Sequence, residues 1–152
     1  MNDGDRIERH REWIAGLLVV LGAPQAAIGL WALLAPHSFW ADFGLGGKGW
    51  VETLGSYDEH LVRDVGTLFL GLGVLLIVAA VRGQRSLSAV AAVVWLIYAL
   101  PHTLWHYFNL GPYSTRDAVA NVIVLGLQVA GGVALLVMLR DQEPARQRAS
   151  TS

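Results

Sequence analysis

Apolar residues fill four nearly unbroken stretches of this chain, at 13–34, 61–81, 87–110 and 118–139, while the charged residues crowd into the two tails and the gaps between them. Each stretch is 21 to 24 residues long, and about 20 residues suffice to cross bilayer hydrocarbon at ~1.5 Å of rise per residue. Four transmembrane helices are predicted. The gap at 35–60 is long and glycine-rich, that at 82–86 is short and basic, and that at 111–117 holds a Gly-Pro turn signal. Short links force antiparallel neighbours, so the expected fold is all-α, an integral membrane up-down four-helix bundle forming one domain over 1–140. The polar segment 141–152 is expected to be a disordered cytoplasmic tail. The first link, HSFWADFGLGGKGWVETLGSYDEH, is too polar to span and too aromatic for a plain linker. It is expected to form a glycine- and aromatic-rich extracytoplasmic cap between the first and second membrane helices.

Composition agrees with the pattern: 54% of the residues are hydrophobic and 15% charged, against roughly 25% charged in a soluble domain. With 11 Lys and Arg facing 12 Asp and Glu, no basic surface is on offer to nucleic acid. The absence of cysteine removes disulfides, thiolate metal sites and iron–sulfur clusters. GLGGKG at 44–49 lacks the GK[ST] ending of a phosphate loop and follows no strand, so nucleotide binding is rejected. The first apolar stretch is too long for a signal-peptide core and is read as a retained helix.

Lys and Arg mark the orientation. Arg6, Arg9, Arg11, Arg82, Arg85, Arg140, Arg146 and Arg148 fall on one side of the four spans, and Lys48, Arg63 and Arg116 on the other. Both termini are therefore expected in the cytoplasm of a multi-pass cell-membrane protein. Trp13, Trp31, Trp40, Trp50, Trp105, Tyr107 and Tyr113 fall near span ends or in the first link, as interfacial anchors do.

Placing the polar residues by depth brings out the candidate chemistry. The second span opens with EHLVRD, the third ends near PHTLWH, and the fourth opens with RDAVAN, all toward the outer side. His60, Arg63, Asp64, His102, His106, Asp117 and Asn121 are expected to converge in a pocket beneath the cap. His102 and His106, four apart on one helix face, are its candidate reacting or coordinating groups, with Asp64 orienting one of them. A plainer arrangement competes, in which Asp64 favours the positive end of its helix, Arg63 snorkels or pairs with Asp117, and the histidines bond across the bundle. Deeper, Gln25 and Gln128 interrupt the apolar pattern and are expected to hydrogen-bond to each other. Pro101 is expected to bend its helix and aim His102 inward, and Pro24 to bend the first helix. Gly22 with Ala26, and Gly66, Gly71, Gly73, Gly126, Gly131 and Gly132, permit close helix approach.

This reading is of a membrane protein that binds a small molecule, lipid or ion in a polar pocket near its outer face. The alternative is a membrane-embedded isomerase or oxidoreductase acting on a hydrophobic substrate through the same His/Asp cluster. Haem or a His-ligated metal are candidate cofactors, with His102 and His106 as candidate metal ligands, although the glutamate of an HExxH site is missing. The expected partners are the lipid bilayer and either further copies of the chain or other subunits of a membrane complex. A transporter is disfavoured, because the cytoplasmic half of the spans is nearly devoid of polar groups.

GLWALLAPHSFWADF at the end of the first span, YDEHLVRDVGTLFLGLGVLL in the second, WLIYALPHTLWHYFNL in the third and the Asp-initiated fourth form an ordered set. In that order they resemble the small four-helix integral membrane proteins common in actinobacteria. More loosely, by helix count and size, the chain is similar to the DoxX-like membrane proteins. The resemblance covers nearly all of the chain, is most specific at EHLVRDVG and PHTLWH, and implies the fold and the membrane location without supplying an activity.

Overall fold

The computed structural model describes residues 3–46 and 49–150. Gly47 and Lys48 of the cap, the last two tail residues, and the side chains of Arg6, Arg146 and Arg148 lie outside the described parts. Among the described residues six helices follow one another: α1 (Asp3–Leu34), α2 (Pro36–Asp42), α3 (Trp50–Leu54), α4 (Glu59–Arg82), α5 (Arg85–Phe108) and α6 (Thr115–Ser150). No strand occurs among the described residues. Four segments of the described residues are long and apolar enough to cross a membrane: Glu8–Leu34, Glu59–Arg82, Arg85–Phe108 and Thr115–Arg140. At 24 to 27 residues they reach about 36 to 40 Å, more than the ~30 Å of bilayer hydrocarbon. The chain is a multi-pass membrane protein built as a four-helix bundle. Its outward faces suit lipid: Leu68, Val81, Ile97 and Leu127 are large, apolar and exposed, as on helices that are hydrophobic all round.

Local chemistry sets the boundaries. The Asp58 carboxylate accepts from the Leu61 amide at 3.0 Å and starts α4. Gly83 ends it with φ 60°, its amide donating to the Ala79 carbonyl, a left-handed turn that a side chain would strain. At the start of α6 the Ser114 hydroxyl accepts from the Asp117 amide at 3.2 Å and donates to the Asp117 carboxylate at 2.6 Å. The cap satisfies the Asp117 amide, one of the donors that the first turn leaves bare. Asn109 and Leu110, assigned to the third span by hydropathy, lie past the end of α5. α6 runs on to Ser150; the segment 141–150 holds no glycine, and its Ala, Arg and Gln are good helix formers, although Pro144 lacks an amide donor. Pro24 and Pro101 stand inside continuous helices.

The closest packing in the bundle joins α1 to α4. A Cβ on Gly66 would stand 2.7 Å from the Leu33 amide nitrogen, one on Gly29 2.7 Å from the Gly66 carbonyl oxygen, and one on Gly73 2.7 Å from the Ala26 Cα. These are backbone-to-backbone contacts, which in a membrane supply the dispersion energy that the hydrophobic effect does not. On α6, Gly131 faces Leu21 and Gly132 faces Leu96 and Trp95. Gly71 and Gly126 meet nothing within 4 Å, so two of the expected packing glycines do not pack. Trp95, Leu18, Leu76 and Leu135 fill the centre.

The first link folds as a cap over one end of this bundle. Pro36 starts α2, where a missing amide donor costs nothing. Phe39 is buried against Ala32 and Val62, and the rings of Trp31, Phe39, Phe43 and Trp50 follow one another at 4.9 to 5.7 Å. The Trp50 amide donates to the Phe43 carbonyl at 2.7 Å and closes the link on itself.

Candidate functional site

The seven residues expected to share a pocket occupy three separate places. His60 Nδ1 and Asp64 Oδ2 lie 3.3 Å apart with side chains 89% and 61% exposed, so this pair faces out of the bundle. Arg63 bonds Glu59 at 2.9 Å and donates to the Leu33 carbonyl at the end of α1, where a cation satisfies an orphan acceptor. Asp64 is thus turned toward His60, and the role of orienting His102 or His106 does not fall to it.

His102 and His106 lie inside. Tyr98, His102 and His106 follow at four-residue spacing on α5 and therefore form one stripe. The ring centroids of Tyr98 and His102 are 5.1 Å apart, those of His102 and His106 4.7 Å, and those of His106 and Tyr113 6.2 Å. Phe69 of α4 meets Tyr98 edge-on at 5.1 Å, and Trp105 meets His106 likewise. At the deep end of the stripe the Gln25 carboxamide lies beside the Tyr98 hydroxyl, and Trp95 Nε1 donates to the Gln128 backbone carbonyl at 2.9 Å. The expected bond between Gln25 and Gln128 is not formed. Gln25 Nε2, Gln128 Oε1 and His106 Nδ1 are all buried with no hydrogen-bond partner within the protein. Gln25 is 3% and His106 8% exposed. A bare buried polar group costs about 1 to 3 kcal/mol, which makes these three atoms the least explained by packing.

The third place is where the cap meets α6. Trp50 Nε1 donates to Asp117 Oδ1 at 2.9 Å, and the Tyr113 hydroxyl donates to the Trp50 carbonyl at 3.3 Å. Burial, reinforced by the Asp117 charge, pushes the Tyr113 hydroxyl up to about 12, so it remains a donor at any physiological pH. Asn121 is buried, and its Nδ2 bonds the Asp117 carbonyl at 3.1 Å. Thr53, Tyr113, Ser114, Arg116 and Asp117 are among the walls of a half-open cleft of about 430 Å³. Tyr113 is the shared wall: one side lines the cleft and its ring adjoins His106.

Tyr98 escaped the sequence reading although its spacing to His102 carries the signal. Trp50 and Tyr113 were legible as interfacial aromatics but not as cap contacts. Among the described residues no three His, Asp or Glu side chains stand together to hold a metal ion. His102 and His106 alone fall short of the three or four protein ligands of a zinc site. No protein family, curated protein or solved structure matches this chain.

Proposed function

We propose that this membrane protein binds a small molecule at the capped end of its bundle, through the cleft beside α3 and against the Tyr98–His102–His106 stripe behind Tyr113. The observation that carries this reading is His106, 8% exposed, with Nδ1 unpartnered and one ring contact from the cleft wall. Nearly all buried polar atoms in folded proteins are bonded, so an atom of this kind beside a cleft fits a bond to something bound. The excess of Arg at the other end of the bundle supports a cytoplasmic location for both termini and an extracytoplasmic cap in the cell membrane. The resemblance to actinobacterial four-helix and DoxX-like proteins accords with this membrane placement. Acid–base chemistry on the bound molecule would have to rest on His102 and His106 without Asp64, and binding is the activity proposed.

Protein purified from membranes in mild detergent and extracted for mass spectrometry tests the reading. One molecule retained near stoichiometry by the wild type and reduced more than tenfold in His106→Leu is the expected result. If the two proteins carry the same lipids in the same ratio and nothing else, no ligand is bound and the reading is wrong.

A further inference from the structure

His60 and Asp64, which left the expected pocket, head a line of exposed residues on α4. His60, Asp64, Thr67, Gly71, Val74 and Val78 are all exposed and follow one another by alternating steps of four and three residues. That is the ~3.5-residue period of a helix packed along a parallel partner, and it lies on the side of α4 opposite the buried Val62, Gly66, Gly73 and Leu76. Lipid contact alone accounts for the exposed Leu61 and Leu68 beside this line but not for its upper residues. Asp64 lies within the membrane-spanning segment Glu59–Arg82, where a carboxylate turned to lipid is costly.

The chemistry of the pair points to what covers it. His60 Nδ1 and Asp64 Oδ2 stand 3.3 Å apart. A charge-assisted hydrogen bond would draw such atoms to about 2.7–2.9 Å, whereas two corners of a tetrahedral zinc site, with bonds of about 2.0–2.1 Å, are roughly 3.3–3.4 Å apart. The pair is spaced as half a coordination sphere. No third ligand joins it within the chain among the described residues, and the adjacent cation Arg63 is turned to Glu59 and to the Leu33 carbonyl. A second copy, related by a two-fold axis along the membrane normal, sets its own α4 parallel to the first and brings up the same two ligands. Two His and two Asp complete a four-coordinate site. Their two carboxylates cancel the charge of a divalent cation, which suits a site at the edge of bilayer hydrocarbon, and without the cation they would repel each other.

We infer that two copies of this protein pair along α4 around a divalent cation of the zinc type, held by His60 and Asp64 of each copy. Below the metal, Thr67 and Gly71 present little bulk, and a side chain on Gly71 would meet nothing within its own chain, so the helices can approach closely. The inference is independent of the small-molecule reading above, which uses none of these residues.

Tag-free protein, purified in detergent, stripped with EDTA and returned to zinc chloride at pH 7.5, tests it by light scattering coupled to size-exclusion chromatography. The protein mass is expected to double with zinc, at one zinc per two chains, and to fall back on chelation. His60→Ala and Asp64→Asn are each expected to weaken zinc-dependent pairing at least about tenfold, and to melt with the wild type because both side chains are exposed. The chain holds no cysteine, so introduced cysteines map the contact. Thr67→Cys should form an intermolecular disulfide when zinc is present, and Ile97→Cys, exposed on α5, should not. A protein that stays single with zinc overturns the inference. So do pairing that persists in EDTA, pairing that survives the loss of either ligand, and cross-linking through Ile97 in place of Thr67. Should a ligand variant unfold early, the Thr67→Cys cross-link decides with both ligands intact.

Discussion

Gly29→Val is expected to leave no folded protein, while Gly71→Ala, on the same seam-forming pair of helices, unfolds at the wild-type temperature or slightly above. The contrast follows from what each side chain would meet. A Cβ on Gly29 enters the α4 backbone at Gly66 and Phe69, whereas one on Gly71 meets nothing within 4 Å. Flexible side chains can move aside, but two helix backbones in contact can only part, and parting them opens the whole α1–α4 seam. Overpacking costs about 1 to 3 kcal/mol when side chains can adjust and more when they cannot. Alanine at Gly29 is therefore expected at the upper end of that range, and valine beyond it. Gly71→Ala gains up to ~1 kcal/mol of helix propensity. Thermal unfolding by circular dichroism in detergent, with size-exclusion chromatography to confirm dispersion, reads both variants. A Gly29→Val protein melting within a few degrees of wild type would show that the seam is not backbone-to-backbone.

This contrast marks the boundary of what the sequence makes legible. Span positions depend on length and hydropathy along the chain, and the four helices were accordingly readable. Rotation of a helix about its own axis is harder. The spacing of Gly22 and Ala26 is a visible packing signal, but Gly29 lies off that four-residue step, and Gly71 resembles Gly73 in every respect except the face it occupies. The same blindness split the expected pocket. His60 and Asp64 share a depth with the α5 histidines, yet each is two residues from Val62, which is buried. At ~100° per residue two steps turn a side chain about 200°, so a stripe buried through Val62, Gly66 and Gly73 forces both outward. His102 and His106, by contrast, stay in step with the buried Trp95 and Ala99. The glycine seam through Gly66 and Gly73 fixes the rotation of α4 and with it the outward turn of His60 and Asp64. The link between Trp50 and Asp117 spans 67 residues and depends on how the cap folds, which no local pattern specifies.

That link carries the second large effect. Asp117→Ala is expected to release the cap while leaving the four long helices in place. The substitution removes the acceptor of the Trp50 indole and of the Ser114 hydroxyl together, and hydrogen bonds to a charged group contribute about 1.5 to 3 kcal/mol each. The helices themselves are held by the α1–α4 seam and the Trp95 core, which Asp117 does not touch. Chymotryptic cleavage after Phe43, which packs inside the cap, is the direct readout: at least a tenfold faster rate is expected in Asp117→Ala, corresponding to about 1.4 kcal/mol of easier local opening. Asp117→Asn keeps an oxygen for the indole and should fall between. Trp50→Phe deletes the same bond from the other side, so combining it with Asp117→Asn should add little to either change alone. Equal cleavage rates in wild type and Asp117→Ala, or full additivity in the double variant, would mean that the cap is held elsewhere. Tyr113 joins this test to the proposed site, because its hydroxyl bonds the Trp50 carbonyl, it lines the cleft and its ring adjoins that of His106. If the cap holds Tyr113 in place, Asp117→Ala should weaken retention of the bound molecule with His106 intact.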